Sequence, residues 1–307
     1  MLQQIAGFDV ASQEHVSYRE EVGWCNVVNT ASAIRRHLRS LPKGTIIALE
    51  STGGYGLLLA RLAHELGFTV YVLQASKVKN FCKSSPSRGK SDKHDARDIA
   101  AYIASFGARL HPYTPLPAFE ARLRMLCRKK EGMNDHLTAL RLMLRALGDT
   151  PRKVQSTLRE LAGRIKGLEA EIESMLAEAD DAQVLYKIPG VKSNLIAAVL
   201  PALRTIPFKD KYALDSYAGI DLKMNESGKF VGRRRMSHQG DAHLRRAVYM
   251  AGMTATNCKV WKPYYLKLRN EKRLKPVQAI NALGRKILHT VFGVYRSQTP
   301  FVAPSRA

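Results

Sequence analysis

Residues 45–50 read TIIALE. A short apolar run of this kind is the pattern of a strand buried in a sheet, and it sets the fold class. It also ends on a carboxylate, Glu50, directly before STGGY. On its N-terminal side, Asn29–Leu41 reads as a helix capped by Asn29 or Thr30 and stopped by Pro42. Before that, Gln4–Ala11 reads as a strand, and His15–Glu20 with Gly23–Val28 as a hairpin. On its C-terminal side, Tyr55–Leu66 reads as a helix ending at Gly67, and Phe68–Leu73 as a further strand. Ser84–Lys90, polar and basic with Gly and Pro, reads as a loop, and a helix follows from about Ser91 to Phe106. Strands in succession, then strands alternating with helices, predict one α/β sandwich domain over residues 1–112.

The next segment, 113–181, has a different period. Met133, Leu137, Leu140, Leu144 and Leu147 are spaced 4-3-4-3. After Gly148-Asp149-Thr150-Pro151 the pattern resumes at Val154, Leu158, Leu161, Ile165, Leu168, Ile172 and Met175. Two heptad helices joined by a Gly/Pro turn predict a helical hairpin or coiled coil. Its seam packs either on its own chain or on a second copy, and its length and charged flanks favour the dimer. Residues 182–307 are expected to be mostly helical, with a strand-like or loop segment around Leu222–Arg235. They open on YKIPGVKSNLIAAVL, residues 186–200, which fits both an ordinary helical hairpin and a helix-hairpin-helix whose turn meets a phosphate.

The charge is uneven. The whole chain carries 49 Lys+Arg against 26 Asp+Glu, a net +23, and residues 182–307 carry 23 against 6. Such an excess says nothing about fold but points to a polyanionic partner. Four scattered cysteines without a CxxC exclude a zinc site or a disulfide framework and suit a reduced, cytosolic protein. Neither a signal peptide nor a membrane helix is expected.

Against this basic background, GKSDKHDARDIA at 89–100 holds three aspartates in seven positions. On a helix, Asp92, Asp95, Ile99, Tyr102, Ile103 and Phe106 share a face, while Asp98 lies roughly 90° off it. Two inward carboxylates one turn apart invite a divalent cation. Acids in an exposed first turn, favoured by the helix dipole, are the other reading. Asp9 in the first strand and Glu50 at the end of the buried one add two further lone acids. Hard oxygen ligands on two strands and one helix suit Mg²⁺ or Mn²⁺ in phosphoryl transfer.

FDVAS, ALESTGGY and GKSDKHDARDIA resemble the three acidic boxes of the RuvC-like domain in DEDD transposases of the insertion-sequence one-ten family, whose relatives include Piv-type invertases. YAGIDLKMNESGKFVGRRRMSHQGDAHLRRAVYMAG, residues 217–252, resembles that family's second domain, and the order of parts agrees over nearly the whole chain. The resemblance implies a RuvC/RNase H-like fold in which Asp9, Glu50, Asp92 and Asp95 hold Mg²⁺ (or Mn²⁺). It implies that Ser227, in the ESG turn, is the nucleophile that joins DNA. It further implies a cytoplasmic, nucleoid-associated bacterial recombinase acting on donor and target double-stranded DNA. Such proteins are guided by a structured non-coding RNA. They work as homo-oligomers, dimer to tetramer, with active sites shared between subunits. Lys192, Arg233, Arg234, Arg235, Arg245 and Arg246 are the candidate nucleic-acid contacts.

Ser237 is the rival nucleophile, read instead as the cap of the helix holding Arg245 and Arg246. Three local departures stand out: Ser12-Gln13 replace the Lys that follows the first acid, Leu222 replaces a Pro five residues before the serine, and Lys192-Ser193 replace a Gly-rich turn. The rival functions are an invertase needing no guide RNA, a RuvC-like nuclease using metal-bound water, and a nucleic-acid binder without chemistry.

Overall fold

The computed structural model describes residues 4–51, 54–84, 92–148, 151–223, 226–227, 230–231 and 235–303. Side chains at 83–84, 92–93, 223, 226–227 and 230–231 lie outside that description. The chain divides into two compact units, Met1–Pro115 and Leu116–Ala307.

The first unit is built on β1 (Ile5–Val10), β2 (Glu14–Arg19), β3 (Gly23–Val28), α1 (Ala31–Arg39), β4 (Ile46–Glu50), α2 (Leu57–Glu65), β5 (Thr69–Leu73), α3 (Ala75–Ser84) and α4 (Asp92–Phe106). The sheet order is β3-β2-β1-β4-β5. The first three strands are antiparallel, and β4 and β5 run parallel to β1. This mixed sheet is consistent with the RuvC-like α/β class. Alternation along the strands separates two cores. Phe8, Val10, Ile47 and Leu49 pack with Ile34, Leu38, Leu59 and Leu62 of α1 and α2. Ile46, Ala48, Tyr71 and Leu73 pack with Val78 of α3 and Ile99, Tyr102 and Ile103 of α4.

Gly7 explains how closely α4 lies on the sheet. A Cβ there would sit 2.2 Å from the Ala96 carbonyl oxygen and 2.8 Å from the Ala100 nitrogen. The strands, α1, α2 and α4 follow the sequence reading to within a residue or two, and Thr30 accepts from the Ala33 amide as the cap of α1. The reading left out α3. Its apolar signal is only Val78, Phe81 and Cys82, a single i, i+3, i+4 set in a basic segment.

The second unit contains α5 (Ala118–Leu147), α6 (Arg152–Ala177), α7 (Asp180–Tyr186), α8 (Ser193–Thr205), α9 (Lys211–Ala218), the short strands β6 (Leu222–Lys223), β7 (Glu226–Ser227), β8 (Phe230–Val231) and β9 (Arg235–Met236), then α10 (Ala242–Ala255), α11 (Lys262–Asn270) and α12 (Pro276–Ser297). The heptad helices form the hairpin α5–α6, with Gly148 in the left-handed region ending α5. Leu137, Leu144, Leu158 and Ile165 bury one another, and Leu168, Ile172 and Leu176 continue into the core formed with α8, α10 and α12. The seam therefore closes on its own chain, not on a second copy as its length had favoured. The hairpin also shares a core with the helices that follow it.

Close crossings hold that core together. A Cβ on Gly252 of α10 would lie 2.5 Å from the Ile280 oxygen of α12. Asp215 of α9 is fully buried and receives Arg285 Nε at 2.7 Å and His289 Nε2 at 2.8 Å from α12, so its charge is paired.

Candidate active site

The parallel register places Phe8 beside Leu49, so Asp9 and Glu50, the next residues, end neighbouring strands side by side. Both follow the parity of Gly7 and Ala48 and so face α4. Asp95 stands next to Ala96, the residue that Gly7 touches. Asp9, Glu50 and Asp95 are each half-buried. Burial pushes the Glu50 pKa above the ordinary carboxylate value, the Asp95 charge pushes it further, and Lys79 of α3 opposes both. The structure thus brings Asp9, Glu50 and Asp95 to one end of the sheet. Asp92 opens α4, but its side chain lies outside the described residues.

Among the described residues, no three His, Cys, Asp or Glu side chains form a group that could hold a metal ion. The donor chemistry nevertheless fits a hard divalent cation. The carboxylates are oxygen ligands that Mg²⁺ and Mn²⁺ accept, and the Glu50–Asp95 repulsion is what a cation between them would relieve.

Asp98 departs from the sequence reading. It was expected off the packed face, yet only 7% of it is exposed. The unforeseen α3 covers that flank. Burial and the Asp98 carboxylate, which bonds the Cys82 side chain, push the Cys82 thiol up to about 11. Arg97 Nε lies 3.8 Å from Asp98.

In the second unit, β7 pairs with β8 so that Ser227 lies opposite Phe230, and Glu226 opposite Val231. The Ser227 side chain falls outside the description. In a separate two-stranded sheet β6 pairs with β9, Leu222 with Met236. Ser237 closes the base: its hydroxyl donates to the Asp221 carboxylate, and its amide donates to the Asp221 carbonyl at 2.9 Å. Ser237 is not the helix cap that was expected. Asp241 caps α10, accepting from the His243 and Leu244 amides.

The basic candidates divide. Lys192, just ahead of α8, and Arg235 in β9 are exposed, while Arg233 and Arg234 lie outside the described residues. Arg245 donates to the Ala218 carbonyl at 3.1 Å. Arg246 reaches Asp135 at 2.6 Å and Glu131 at 3.0 Å, both on α5. These two guanidinium groups hold α10 to its neighbours. Pro189-Gly190 turns between α7 and α8, with Gly190 at φ 81° and the Pro189 carbonyl accepting from Trp261 Nε1 at 2.6 Å. Among the described residues, no helix is long and apolar enough to cross a membrane.

Comparison with known proteins agrees along the chain. Residues 6–150 match the model of the DEDD transposases of the IS110 type. Residues 182–266 match the transposase IS116/IS110/IS902 family. The pilin gene-inverting protein of Moraxella bovis is 24% identical over 266 residues, covering 83% of this chain and 81% of its own. The pilin gene-inverting protein of Moraxella lacunata matches to the same extent, also at 24%. A protein of insertion element IS116 from Streptomyces clavuligerus is 28% identical over 144 residues, 45% of this chain and 35% of its own.

Proposed function

The chain belongs to the IS116/IS110/IS902 family of transposases, and we propose that it cuts and rejoins DNA with Ser227 as nucleophile and a Mg²⁺ (or Mn²⁺) ion held by Asp9, Glu50, Asp92 and Asp95. Membership makes the chain a DNA transposase or invertase. The serine, the metal and the partners below are the proposal. The observation that carries it is the placing of Asp9 and Glu50 on neighbouring strand ends, with Asp95 of α4 near enough for its charge to raise the Glu50 pKa.

Bound there, the ion supplies Lewis-acid charge to phosphate and leaving oxygens. The chain's own residues do the rest. The Ser227 oxygen attacks phosphorus, the phosphorus–oxygen bond to one deoxyribose breaks, and a phosphoserine linkage forms. The hydroxyl proton passes to a base, and the departing sugar oxygen takes up a proton. Because the phosphodiester is conserved, a second sugar hydroxyl can displace Ser227 and rejoin the strand without ATP. The basic residues Arg233, Arg234 and Arg235 lie close in sequence to Ser227 and are suited to neutralise the phosphate. Lys192, exposed beside the Pro-Gly turn, is a further phosphate contact. The same reading includes a structured guide RNA and a homo-oligomer whose subunits share active sites.

The test is strand cleavage of a supercoiled donor plasmid with and without divalent ion. Asp9→Asn, Glu50→Gln and Asp95→Asn should each abolish it while the circular-dichroism spectrum stays native. Retained cleavage in Glu50→Gln would overturn the acid site. The similarity to pilin gene-inverting proteins favours a second reading, an invertase that needs no guide RNA. Recombination by protein freed of RNA with RNase would support it.

A further inference from the structure

We propose that Asn29 is a positioning residue for the acid site, clamping the turn that follows Asp9 to the loop that follows Glu50. The inference rests on the acid-site reading above. Asn29 stands between β3 and α1, and its side-chain amide donates to the Ala11 carbonyl at 3.2 Å, the Ser12 carbonyl at 3.2 Å and the Tyr55 carbonyl at 3.4 Å. Its backbone amide donates to the Gln13 carbonyl at 2.8 Å. Ala11 lies two residues beyond Asp9, and Tyr55 five beyond Glu50. One side chain therefore spans the two chain segments that leave the acid-bearing strand ends.

Neighbouring packing reinforces the clamp. A Cβ on Gly56 would sit 2.5 Å from Leu49 Cδ1 and 3.3 Å from Val10 Cγ2, so Gly56, next to Tyr55, is pressed onto side chains near the ends of β4 and β1. His15, which is fully buried, completes the turn: its Nδ1 accepts from the Ala11 amide at 3.4 Å, which leaves the ring proton on Nε2. Neither His15 Nε2 nor Asn29 Oδ1 has a partner of standard hydrogen-bond geometry. Burial lowers the His15 pKa, and the Asn29 side chain partly opposes this. No aspartate can replace Asn29 here, because three carbonyl oxygens face the group and a carboxylate has no proton to donate. The expected consequence belongs to outer-shell groups: a looser pair of ligands and weaker metal binding.

Two measurements on the full chain test this, using Asn29→Ala, the shorter polar Asn29→Ser should the alanine variant not fold, and Thr30→Ala as control. Thr30 caps α1 beside Asn29, and its hydroxyl bonds within the first turn of that helix. Hydrogen exchange in Asn29→Ala should quicken together at the Ala11 amide, bonded to His15, and at the Leu57 amide, bonded to Gly54, while Phe8 in mid-strand stays protected. The Mn²⁺ concentration for half-maximal cleavage should rise about ten- to a hundredfold, with a smaller change in rate at saturating Mn²⁺. Thr30→Ala should move neither. Quickening in one loop alone, or equally in Thr30→Ala, overturns the clamp, as does an unmoved Mn²⁺ midpoint. A wild-type protein that cleaves without any divalent ion defeats the acid-site reading itself, and the exchange result then judges the clamp separately.

Discussion

Gly7 lies so close beneath Ala96 that a methyl group added to it would stand 2.2 Å from the Ala96 carbonyl oxygen. That contact sets the distance between α4, which carries Asp95, and β1, which carries Asp9. Gly7→Ala must push the helix away, because both obstructing groups are backbone. We expect a loss of ~1–3 kcal/mol of stability and cleavage reduced far beyond what the stability loss explains. Near-normal cleavage at a temperature where the variant is folded would show that the helix height is unimportant. Urea denaturation beside a cleavage assay decides it.

Glu50 carries a pH signature. Its folded pKa is raised by burial and by Asp95, so it holds its proton more tightly folded than unfolded. Its contribution to stability is therefore greatest at acid pH and falls as pH climbs from the ordinary carboxyl range through the raised value. Asp95→Asn removes part of that shift. Without divalent ion at neutral pH, the variant should melt above wild type. Adding Mg²⁺ should raise the wild-type melting temperature and barely move Asp95→Asn. A melting temperature for Asp95→Asn below wild type in chelator would contradict the repulsion.

Asp98 and Cys82 form a pair that helix geometry alone did not foresee. The thiol is held at about 11 by burial and by Asp98. Asp98→Asn should lower it and quicken alkylation of Cys82 at pH 8, by about threefold for each unit the pKa falls, since the gain in thiolate is partly offset by its lower nucleophilicity. It should also destabilise the contact between α3 and α4, so Asp98 is not a neutral control for Asp95. Peptide mapping after iodoacetamide treatment reads Cys82 separately from Cys25, Cys127 and Cys258. An unchanged Cys82 rate would remove Asp98 as the cause.

The two serines should separate cleanly. Ser227→Ala should abolish a covalent protein–DNA adduct trapped on a nicked substrate. Ser237→Ala should keep the adduct but cost ~1.5 kcal/mol, since its hydroxyl bonds the Asp221 carboxylate. An adduct surviving in Ser227→Ala places the nucleophile elsewhere. DNA cut without adduct in every variant would favour hydrolysis by metal-bound water.

The basic residues should divide as their partners do. Arg235→Ala and Lys192→Ala, both exposed, should weaken DNA binding and each reduce the salt slope by about one. Arg246 is occupied by Asp135 and Glu131. Arg246→Ala should lower the melting temperature and leave the slope unchanged. A slope that falls with Arg246→Ala would mean that DNA displaces those carboxylates. Filter binding across a salt series measures all three.

Local pattern was enough for most of the first unit. The apolar runs through Phe8 and Leu49 and the Thr30 cap are encoded by neighbours in the chain, so those elements, and the lone acids Asp9 and Glu50 beside the core, were legible. The heptads of α5 and α6 were legible for the same reason. What closes their seam was not, because Leu137 and Leu158 have the same periodicity whether they meet each other or another copy. Three further features depended on segments distant in sequence. α3, with one short apolar set, placed Lys79 near Glu50 and covered Asp98. Arg246 met α5 acids more than a hundred residues away. Asn29 gathered carbonyls from two loops that no spacing rule connects. Periodicity reports which way a side chain points along its own element. Which charges and carbonyls it meets there is decided by packing between elements, and that packing is where Glu50, Asp95 and Asn29 acquired their surroundings.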